Sequence, residues 1–468
     1  MPERETIQVY LQTVADQIRW KRARPVVTLE LQRHLEDQRD AFTEEGNAPE
    51  EAERLAVEEM GDPVAVGAEL DRIHQPKPQW GLLALTMLLA LAGGFLRVWL
   101  TAGWDDGYLA VDPVRTLAAV SLGTACLLGA YFLDYSFLGR YAREVYIAAI
   151  GAGLLSLWLS PKVNNASYYT RYVALCYPVI YAVWLYACRG KSWKGLFLSI
   201  AGGVPLALVC WRAPSVLGLF LLLVSGLILL LAAARMDWFG IGKLSTAAVP
   251  LGIALLTALG GYGLLRRGYG ASRIAVLLHP ETDPKGYGYQ ALMTRAILTC
   301  SRWMGEGAIP SMSCYERIVP NVDHELLPLT IIFKLGWLPY LLLLLVLAAL
   351  LAWLLFRCLR QKSQLGRMVA LAVVLTLGLQ TVSSVVLNLG FVLFSAELPL
   401  LVGNLHTVLD MGLIGLALSV FRGDAVAREN RIEGTGRGFI PVGIHCKRWQ
   451  NSQKDEKIFS VSLILKRR

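Results

Sequence analysis

The sequence predicts an all-α polytopic membrane protein, with about ten transmembrane helices preceded by a small soluble helical domain. Hydrophobic residues make up 55% of the 468 residues and charged residues only 17%. The mean hydropathy of +0.46 is too high for an ordinary soluble protein. Charged residues are concentrated before Trp80, whereas apolar segments of about 20 residues follow it, and this is the length that crosses a bilayer.

Residues 1–75 are predicted to form a cytoplasmic helical domain. Apolar residues recur there at the spacing of one helix face, at Ile7, Tyr10, Leu11, Val14 and Ile18. A further helix is predicted to begin at Pro49, which acidic residues follow, and to end at Gly61-Asp62-Pro63. The breaker-rich residues 75–79 then separate this domain from the first membrane helix.

The membrane domain is predicted to extend over residues 80–425 and to contain ten apolar segments. They are residues 80–100, 114–135, 144–160, 169–187, 195–212, 213–235, 244–265, 326–357, 367–392 and 397–421. Lys and Arg residues concentrate in alternate connections between these segments, on the same side as the N-terminal domain. Since cytoplasmic loops carry an excess of Lys and Arg, both termini are predicted to be cytoplasmic. The connections predicted to lie outside are residues 101–113, 161–170 and the long loop 266–325.

The charge distribution argues against a nucleic-acid partner. The net charge is +9, but acidic residues are concentrated before residue 80, so the excess positive charge belongs to membrane loops and the C-terminal tail. Residues 426–468 are basic and are predicted to be disordered and cytoplasmic. No P-loop, dinucleotide fingerprint or zinc-ligand spacing is present, which excludes the function classes that depend on them.

The long loop carries a pattern of small and polar residues that continues into the last three spans. Within the loop these are Pro280, Asp283-Pro284, Gly286, Gly288-Tyr289-Gln290, Ala296-Ile297 and Gly305-x-Gly307. Beyond it follow Phe333-Lys334-Leu335-Gly336, Leu379-Gln380-Thr381, Leu387-Asn388-Leu389-Gly390 and Glu397-Leu398-Pro399-Leu400. In these motifs the chain resembles the SEDS family of FtsW/RodA/SpoVE proteins over roughly residues 115–425. The first 75 residues look like the helical prefix domain that precedes some bacterial permeases and SEDS proteins.

This resemblance implies a ten-span protein of the bacterial cytoplasmic (inner) membrane that polymerises lipid-linked disaccharide-pentapeptide during cell-wall synthesis for growth, division or sporulation. It implies a membrane-bound transpeptidase as partner and a carboxylate that acts as general base or holds a divalent cation such as Mg or Mn. The family's carboxylate precedes the glycine that corresponds to Gly336 by eleven residues, which is the position of Glu325. Asp323 fits with a slip of two residues.

Three departures from the family pattern keep a second function open. Glu325 stands where the family has Asp, and a side chain one methylene longer reaches a different point. The family's N-G-A-x-R-W loses its Arg and Trp in the gapless match at residues 164–169, and residues 399–406 lack the family's Gly-Gly pair. The alternative is therefore a catalytically weakened SEDS paralogue that acts as a scaffold or binds the precursor. A transporter of the lipid precursor is the third and least favoured reading, because few charges lie within the membrane.

Candidate binding residues lie in the long loop and inside the membrane. The loop residues that could contact the pyrophosphate or sugar of the precursor are Asp283, Lys285, Arg273 and Arg295, although a solvated loop surface explains each equally well. Within the membrane, Asp410 lies one helical turn from His406, and Lys334 lies near the start of the eighth span. An ion pair of Asp410 with His406 or Lys334 is predicted, with a structural role favoured over proton relay. Asn388 and Gln380 are predicted to form interhelical hydrogen bonds.

Overall fold

A computed structural model describes residues 7–20, 23–75, 78–102, 111–163, 166–265, 275–308, 324–393 and 395–423. The predicted tail 426–468 lies outside these residues, as do two parts of the long loop, 266–274 and 309–323. The described helices are α1 (Ile7–Gln17), α2 (Arg24–Glu44), α3 (Pro49–Met60), α4 (Pro63–His74), α5 (Trp80–Thr101), α6 (Pro113–Phe132), α7 (Ser136–Arg140), α8 (Ala142–Leu159), α9 (Thr170–Val173), α10 (Tyr177–Ala187), α11 (Ser192–Arg212), α12 (Val216–Arg235), α13 (Lys243–Leu265), α14 (Tyr289–Cys300), α15 (Leu327–Leu335), α16 (Trp337–Leu359), α17 (Gln364–Asn388) and α18 (Leu405–Arg422).

The N-terminal helices α1–α4 pack on one another through the apolar face that the sequence predicts. Tyr10 and Val14 of α1 are buried. Pro49 is the first residue of α3, and the side chain of Asp62 caps α4 by accepting from two backbone N–H groups. The ends of α1 are held by other helices, since Ile7 N donates to Glu53 Oε1 at 3.0 Å and Arg19 N to Asp71 Oδ1 at 2.8 Å.

The predicted fold class is confirmed. In the described part of the chain, eight helices are long and apolar enough to cross a membrane: α5, α6, α8, α11, α12, α16, α17 and α18. The predicted fourth span is helical but broken, because α9 is followed by the 3-10 turn Ala174–Cys176 and then α10. The predicted seventh span corresponds to α13. The chain is therefore a multi-pass membrane protein.

The last helix, α18, lies at the centre of the bundle. Of its apolar window 72% is buried, the largest share among the eight. Small residues allow this close packing, because a Cβ added at Gly415 would lie 2.4 Å from the carbonyl oxygen of Leu127 on α6. Similarly, a Cβ at Gly93 of α5 would lie 2.6 Å from the Cα of Leu401, just before α18. These glycines bring α5, α6 and the segment before α18 into backbone contact.

The two ends of the bundle differ in structure. At the end where α5 finishes and α18 begins, here called the loop end, residues Lys162–Val163 and Ala166–Ser167 form a short antiparallel hairpin. Residues 303–308 run beside the end of α15, where Gly305 N donates to Leu335 O at 2.9 Å and Gly307 N to Phe333 O at 2.8 Å. The opposite end contains the start of α5 and the short connections predicted to be cytoplasmic.

The turn between α15 and α16 requires a glycine. Gly336 has φ +102°, and a Cβ there would lie 2.6 Å from the carbonyl oxygen of Trp303. Trp337 N and Leu338 N continue the contact by donating to Arg302 O and Trp303 O, each at 3.0 Å. The motif glycine Gly336 thus fixes α15 against the last part of the long loop.

We expect a fragment of residues 1–75 to be soluble and helical, with its stability dependent on Asp71. Asp71 is 6% exposed and accepts from the backbone N–H of Arg19, just after α1, so Asp71→Ala leaves this partly buried N–H without its acceptor and should lower the free energy of unfolding by about 1 kcal/mol. Circular dichroism during urea unfolding measures this. Glu58→Ala, on an exposed side chain, is the control and should change stability by less than about 0.5 kcal/mol. An aggregated fragment, or equal effects of the two variants, would contradict the prediction.

Candidate functional site

Glu325 precedes α15 at the loop end of the bundle, and Asn388 of α17 fixes its backbone. The Nδ2 of Asn388 donates to Glu325 O at 3.0 Å and to Ser384 O at 2.8 Å. Its Oδ1 accepts from Leu329 N at 3.0 Å, which satisfies one of the free N–H groups in the first turn of α15. Asn388 is 1% exposed, so these bonds are formed in the protein interior. The predicted interhelical role of Asn388 is what the structure shows, and it positions Glu325.

The Glu325 side chain lies at the loop end of the bundle and is 12% exposed. Its Oε1 accepts a short hydrogen bond from the Ser395 hydroxyl. The same oxygen lies 3.5 Å from Nη1 of Arg171. Glu325 is therefore a largely buried carboxylate that faces a cation.

Arg171, in the short helix α9, lies between two carboxylates. Its Nη2 is 3.6 Å from Oε1 of Glu397, so Glu325 and Glu397 share one guanidinium. The guanidinium carbon lies 4.7 Å and 4.8 Å from the ring centres of Tyr168 and Tyr172, and Nη2 donates to the Tyr172 hydroxyl at 2.7 Å. Its buried Nε has no partner among the described residues. Arg171 is therefore held firmly between the two carboxylates and the two tyrosine rings.

Glu325, Ser395 and Arg171 form a polar network, which Glu397 extends towards α18. It is 5% exposed and accepts from Asn404 Nδ2 at 2.9 Å, while Nδ1 of His406 lies 3.8 Å away. Burial alone would raise the pKa of Glu397, but the neighbouring His406 and Arg171, together with the Asn404 hydrogen bond, outweigh it and lower the pKa below its usual range. Glu397 is thus an ionised group despite its burial.

The predicted pair of His406 and Asp410 is present in α18. Nδ1 of His406 lies 3.3 Å from Oδ2 of Asp410, and Asp410 is fully buried. Asp410 also accepts from Leu400 N at 3.3 Å, where Leu400 has the unusual φ of +67° for a side-chain-bearing residue. Such a conformation costs roughly 1–3 kcal/mol and persists only where its surroundings fix it. Lys334 is not the partner of Asp410, since its Nζ donates to Leu100 O at 2.7 Å.

A second buried cation, Arg97 of α5, connects His324, the residue before Glu325, to the segment before α18. Nη1 of Arg97 donates to Val402 O at 2.9 Å, and Nη2 lies 3.2 Å from Nδ1 of His324. Arg97 is 6% exposed. Arg97 therefore donates a hydrogen bond to the carbonyl of Val402, which lies outside the helices.

The predicted loop residues occupy different places. Asp283 forms a turn, because its carboxylate accepts from Gly286 N at 3.1 Å and Tyr287 N at 2.9 Å. Lys285 is exposed on that turn, and the guanidinium of Arg295 lies over the Phe391 ring at 5.1 Å. Asp323 and Arg273 lie outside the described residues. Of the predicted set, Glu325 is the member that the described contacts place in the polar network.

Three members of the network were not predicted: Arg171, Glu397 and Arg97. Arg171 lies three residues beyond the position that the gapless match to the family's N-G-A-x-R-W gives to Arg. Moving the match to the family motif by three residues would have identified Arg171. Arg97 offered a signal of its own as an arginine inside an apolar span, since such residues are costly and usually functional.

Comparison with known proteins identifies the family of this chain. The model of the FtsW/RodA/SpoVE family, described as cell cycle proteins, matches residues 80–420. The chain belongs to this family. A role in the cell cycle, which the description of the family states, follows from this membership. A comparison with curated proteins finds no match.

Three solved structures are similar to this FtsW/RodA/SpoVE family member, and the first of them shares its fold. One belongs to a peptidoglycan synthase complex that coordinates polymerization and crosslinking; it is 19% identical, has a TM-score of 0.58, and the match covers 74% of this chain and 98% of that one. Two others are Rod shape determining protein RodA of Thermus thermophilus and a single-residue mutant of it. Each is 17% identical with a TM-score of 0.48 and 74% of this chain covered; the match covers 97% of RodA and 98% of the mutant.

We expect Glu397 to stabilise the protein at neutral pH and to lose this effect in acid. Because its pKa is lower in the folded chain than in the unfolded one, its stabilisation is complete above the unfolded value of about 4.3 and disappears as pH falls through the folded value. Glu397→Gln should therefore lower the unfolding temperature at pH 7, and its difference from the wild type should shrink below about pH 4. Thermal unfolding in detergent measures both. The exposed Glu281→Gln is the control, and a pH-independent effect of Glu397→Gln would contradict the prediction.

Proposed function

We propose that this protein is a peptidoglycan glycosyltransferase that polymerises lipid-linked disaccharide-pentapeptide at the outer surface of the bacterial cytoplasmic (inner) membrane. The observation that carries the proposal is the buried contact of Glu325 with Arg171 at the loop end of an FtsW/RodA/SpoVE-type bundle. It puts a proton acceptor and a cation within 3.5 Å of each other, and the reaction needs both groups.

The reaction joins two sugars and releases a lipid pyrophosphate. Glu325 accepts the proton of the acceptor hydroxyl while that oxygen forms a bond to the anomeric carbon of the donor sugar. The bond from this carbon to the pyrophosphate oxygen breaks, and the pyrophosphate keeps the electron pair. The Arg171 guanidinium meets the charge that develops on the pyrophosphate.

The sharing of Arg171 couples these two events. While Arg171 faces Glu325, it favours the ionised carboxylate and weakens Glu325 as a base. When the pyrophosphate attracts the guanidinium, Glu325 loses part of this stabilisation and accepts a proton more readily. Glu397, ionised and fixed by Asn404, keeps Arg171 from leaving the site altogether.

A divalent cation, Mg or Mn, stays a prediction. Among the residues that the structure describes, no three His, Cys, Asp or Glu side chains converge on one point, and Glu325 and Glu397 converge on Arg171 instead. These groups do not form a cation site by themselves. The steps proposed above therefore use protein groups alone.

A second function is a catalytically weakened paralogue that binds the precursor or acts as a scaffold. The observation in its favour is the full engagement of Glu325, which accepts from Ser395 and faces Arg171, with Glu in place of the family's Asp. In both readings we propose a membrane-bound transpeptidase as partner, in line with the fold's occurrence in a peptidoglycan synthase complex. Contacts of Lys285, Arg273 and Arg295 with the precursor are also part of the proposal, whereas the turn role of Asp283 makes a direct contact secondary.

We expect the loop 266–325 to be extracytoplasmic and both termini to be cytoplasmic. The opposite orientation would place the Lys- and Arg-rich connections outside, against the positive-inside bias. A variant with a single cysteine at position 313 (Ser313→Cys) should react with a membrane-impermeant thiol reagent in intact cells. A single cysteine at position 362 (Lys362→Cys), in a connection predicted to be cytoplasmic, is the control and should react only after lysis. The reverse pattern would overturn the orientation and, with it, the proposed site.

We expect Glu325→Gln to abolish polymerisation and leave folding intact, because the amide keeps the shape of the side chain and cannot take the proton. The measurement is glycan formation from fluorescent lipid-linked precursor by purified protein with its transpeptidase partner. Arg171→Gln should lower the rate by on the order of a hundredfold or more, as loss of a charge-stabilising donor does elsewhere. Arg171→Lys should restore part of the rate, and Glu325→Asp should retain or raise the wild-type rate.

One control variant and two possible outcomes separate the two proposed functions. The exposed Glu281→Gln should polymerise as the wild type does. An active Glu325→Gln beside an inactive Asp323→Asn would move the base by two residues. A wild type that binds the precursor and forms no glycan with its partner present would establish the weakened paralogue.

A further inference from the structure

A basic cleft lies at the end of the bundle opposite to the candidate active site. It has a volume of about 260 Å³ and lies between the start of α8, the end of α10 and the start of α11. The residues of its wall that matter here are Arg140, Arg143, Glu144, Trp184, Lys191 and Leu198. None of them takes part in the proposed polymerisation.

The cations of the cleft are not neutralised by the protein. Arg140, Arg143 and Lys191 are exposed, and none forms an ion pair among the residues that the structure describes. Glu144 is the one carboxylate among the lining residues, so the cleft carries a net charge of about +2. Short cytoplasmic loops are generally basic, but that bias does not require three cations to line one concave surface.

The cleft has a rigid wall. The Trp184 ring stacks on Tyr146 with ring centres 4.3 Å apart, and its Nε1 donates to Leu198 O at 3.1 Å. These contacts fix α8, α10 and α11 relative to one another. The cleft is therefore preorganised, and binding there does not require the helices to move.

The cleft lies at the boundary between water and hydrocarbon. It is formed where three membrane helices begin or end, and exposed aromatic side chains occur at Tyr141 and in the first two turns of α11. Tyr141 is 47% exposed beside the Arg140 guanidinium, and Trp193 and Phe197 of α11 stack with ring centres 6.2 Å apart. Aromatic residues at this depth are typical of contacts with lipid headgroups and the first part of the acyl chains.

We propose that this cleft binds the headgroup of an anionic phospholipid. The phosphate lies among Arg140, Arg143 and Lys191, and the acyl chains lie along Trp193 and Phe197. Basic clefts between membrane helices on the cytoplasmic side bind such headgroups through charge and hydrogen bonding. A soluble phosphate compound shares the charge but makes no use of the apolar aromatic surface, so the structure favours the lipid.

Lipid retention by the full-length protein tests the proposal. The protein is reconstituted in nanodiscs of phosphatidylglycerol and phosphatidylcholine, released, and examined by native mass spectrometry for the lipids that stay bound. The wild type should retain phosphatidylglycerol in preference to phosphatidylcholine. Arg143→Gln/Lys191→Gln should lower this preference by on the order of tenfold, because each cation near an anionic headgroup contributes roughly fivefold and exposure reduces the effect.

A matched variant removes the same charge elsewhere on the same end of the bundle. Arg235→Gln/Lys243→Gln also replaces two exposed cations but does not touch the cleft, and it should keep the wild-type preference. Arg143→Lys/Lys191→Arg preserves both charges and should also keep it, which separates loss of charge from local unfolding. Gel filtration and thermal unfolding verify that all variants are folded.

Three results would overturn the proposal. One is a loss of less than threefold in the cleft variant, and another is an equal loss in the matched variant, which would assign the preference to total charge. The third is displacement of bound phosphatidylglycerol by soluble glycerol phosphate at equal concentration, which would assign the cleft to a soluble phosphate compound. Polymerisation activity has no part in this test, so its outcome does not depend on the proposed function.

Discussion

The loop end of this protein depends on one guanidinium that serves two buried carboxylates. Glu325 and Glu397 are far apart in the chain, and each lies within 3.6 Å of a nitrogen of Arg171. Two ionised carboxylates in such a place would repel each other and would be costly to bury without a cation. Arg171 therefore holds three segments in position: the hairpin before α9, the start of α15 and the segment before α18. Tyr168 and Tyr172 limit how far the guanidinium can move.

The architecture could be predicted from the sequence because each segment that crosses a membrane must by itself be long and apolar enough to do so. Length and apolar composition are local properties, so they predicted the fold class, which is confirmed, whereas the predicted eighth span is divided at Gly336 into α15 and α16. The fourth span was predicted as one helix but contains a 3-10 turn, since the break at residues 174–176 leaves no mark in its hydropathy. The motifs gave the family because they recur in order along the same bundle.

The candidate site could be predicted only in part. Glu325 was found by counting from Gly336, and the pair of His406 and Asp410 by its spacing of one helical turn. Arg171 and Glu397 are 226 residues apart, and no local pattern indicates that two such residues meet. Contacts of that kind follow from how the helices pack, which close approaches such as that of Gly415 to Leu127 decide.

Several anchoring bonds in this bundle join a side chain to a peptide group. Arg97 donates to the carbonyl of Val402, Lys334 to that of Leu100, and Asn388 to that of Glu325. Every residue has a carbonyl, so the accepting position can change its side chain without loss of the bond, whereas the donating position cannot. These three bonds therefore constrain the side chains at positions 97, 334 and 388, whereas at positions 100, 325 and 402 they constrain only the backbone. Replacement of a catalytic side chain such as that of Glu325 can therefore leave the bonds that anchor the bundle in place.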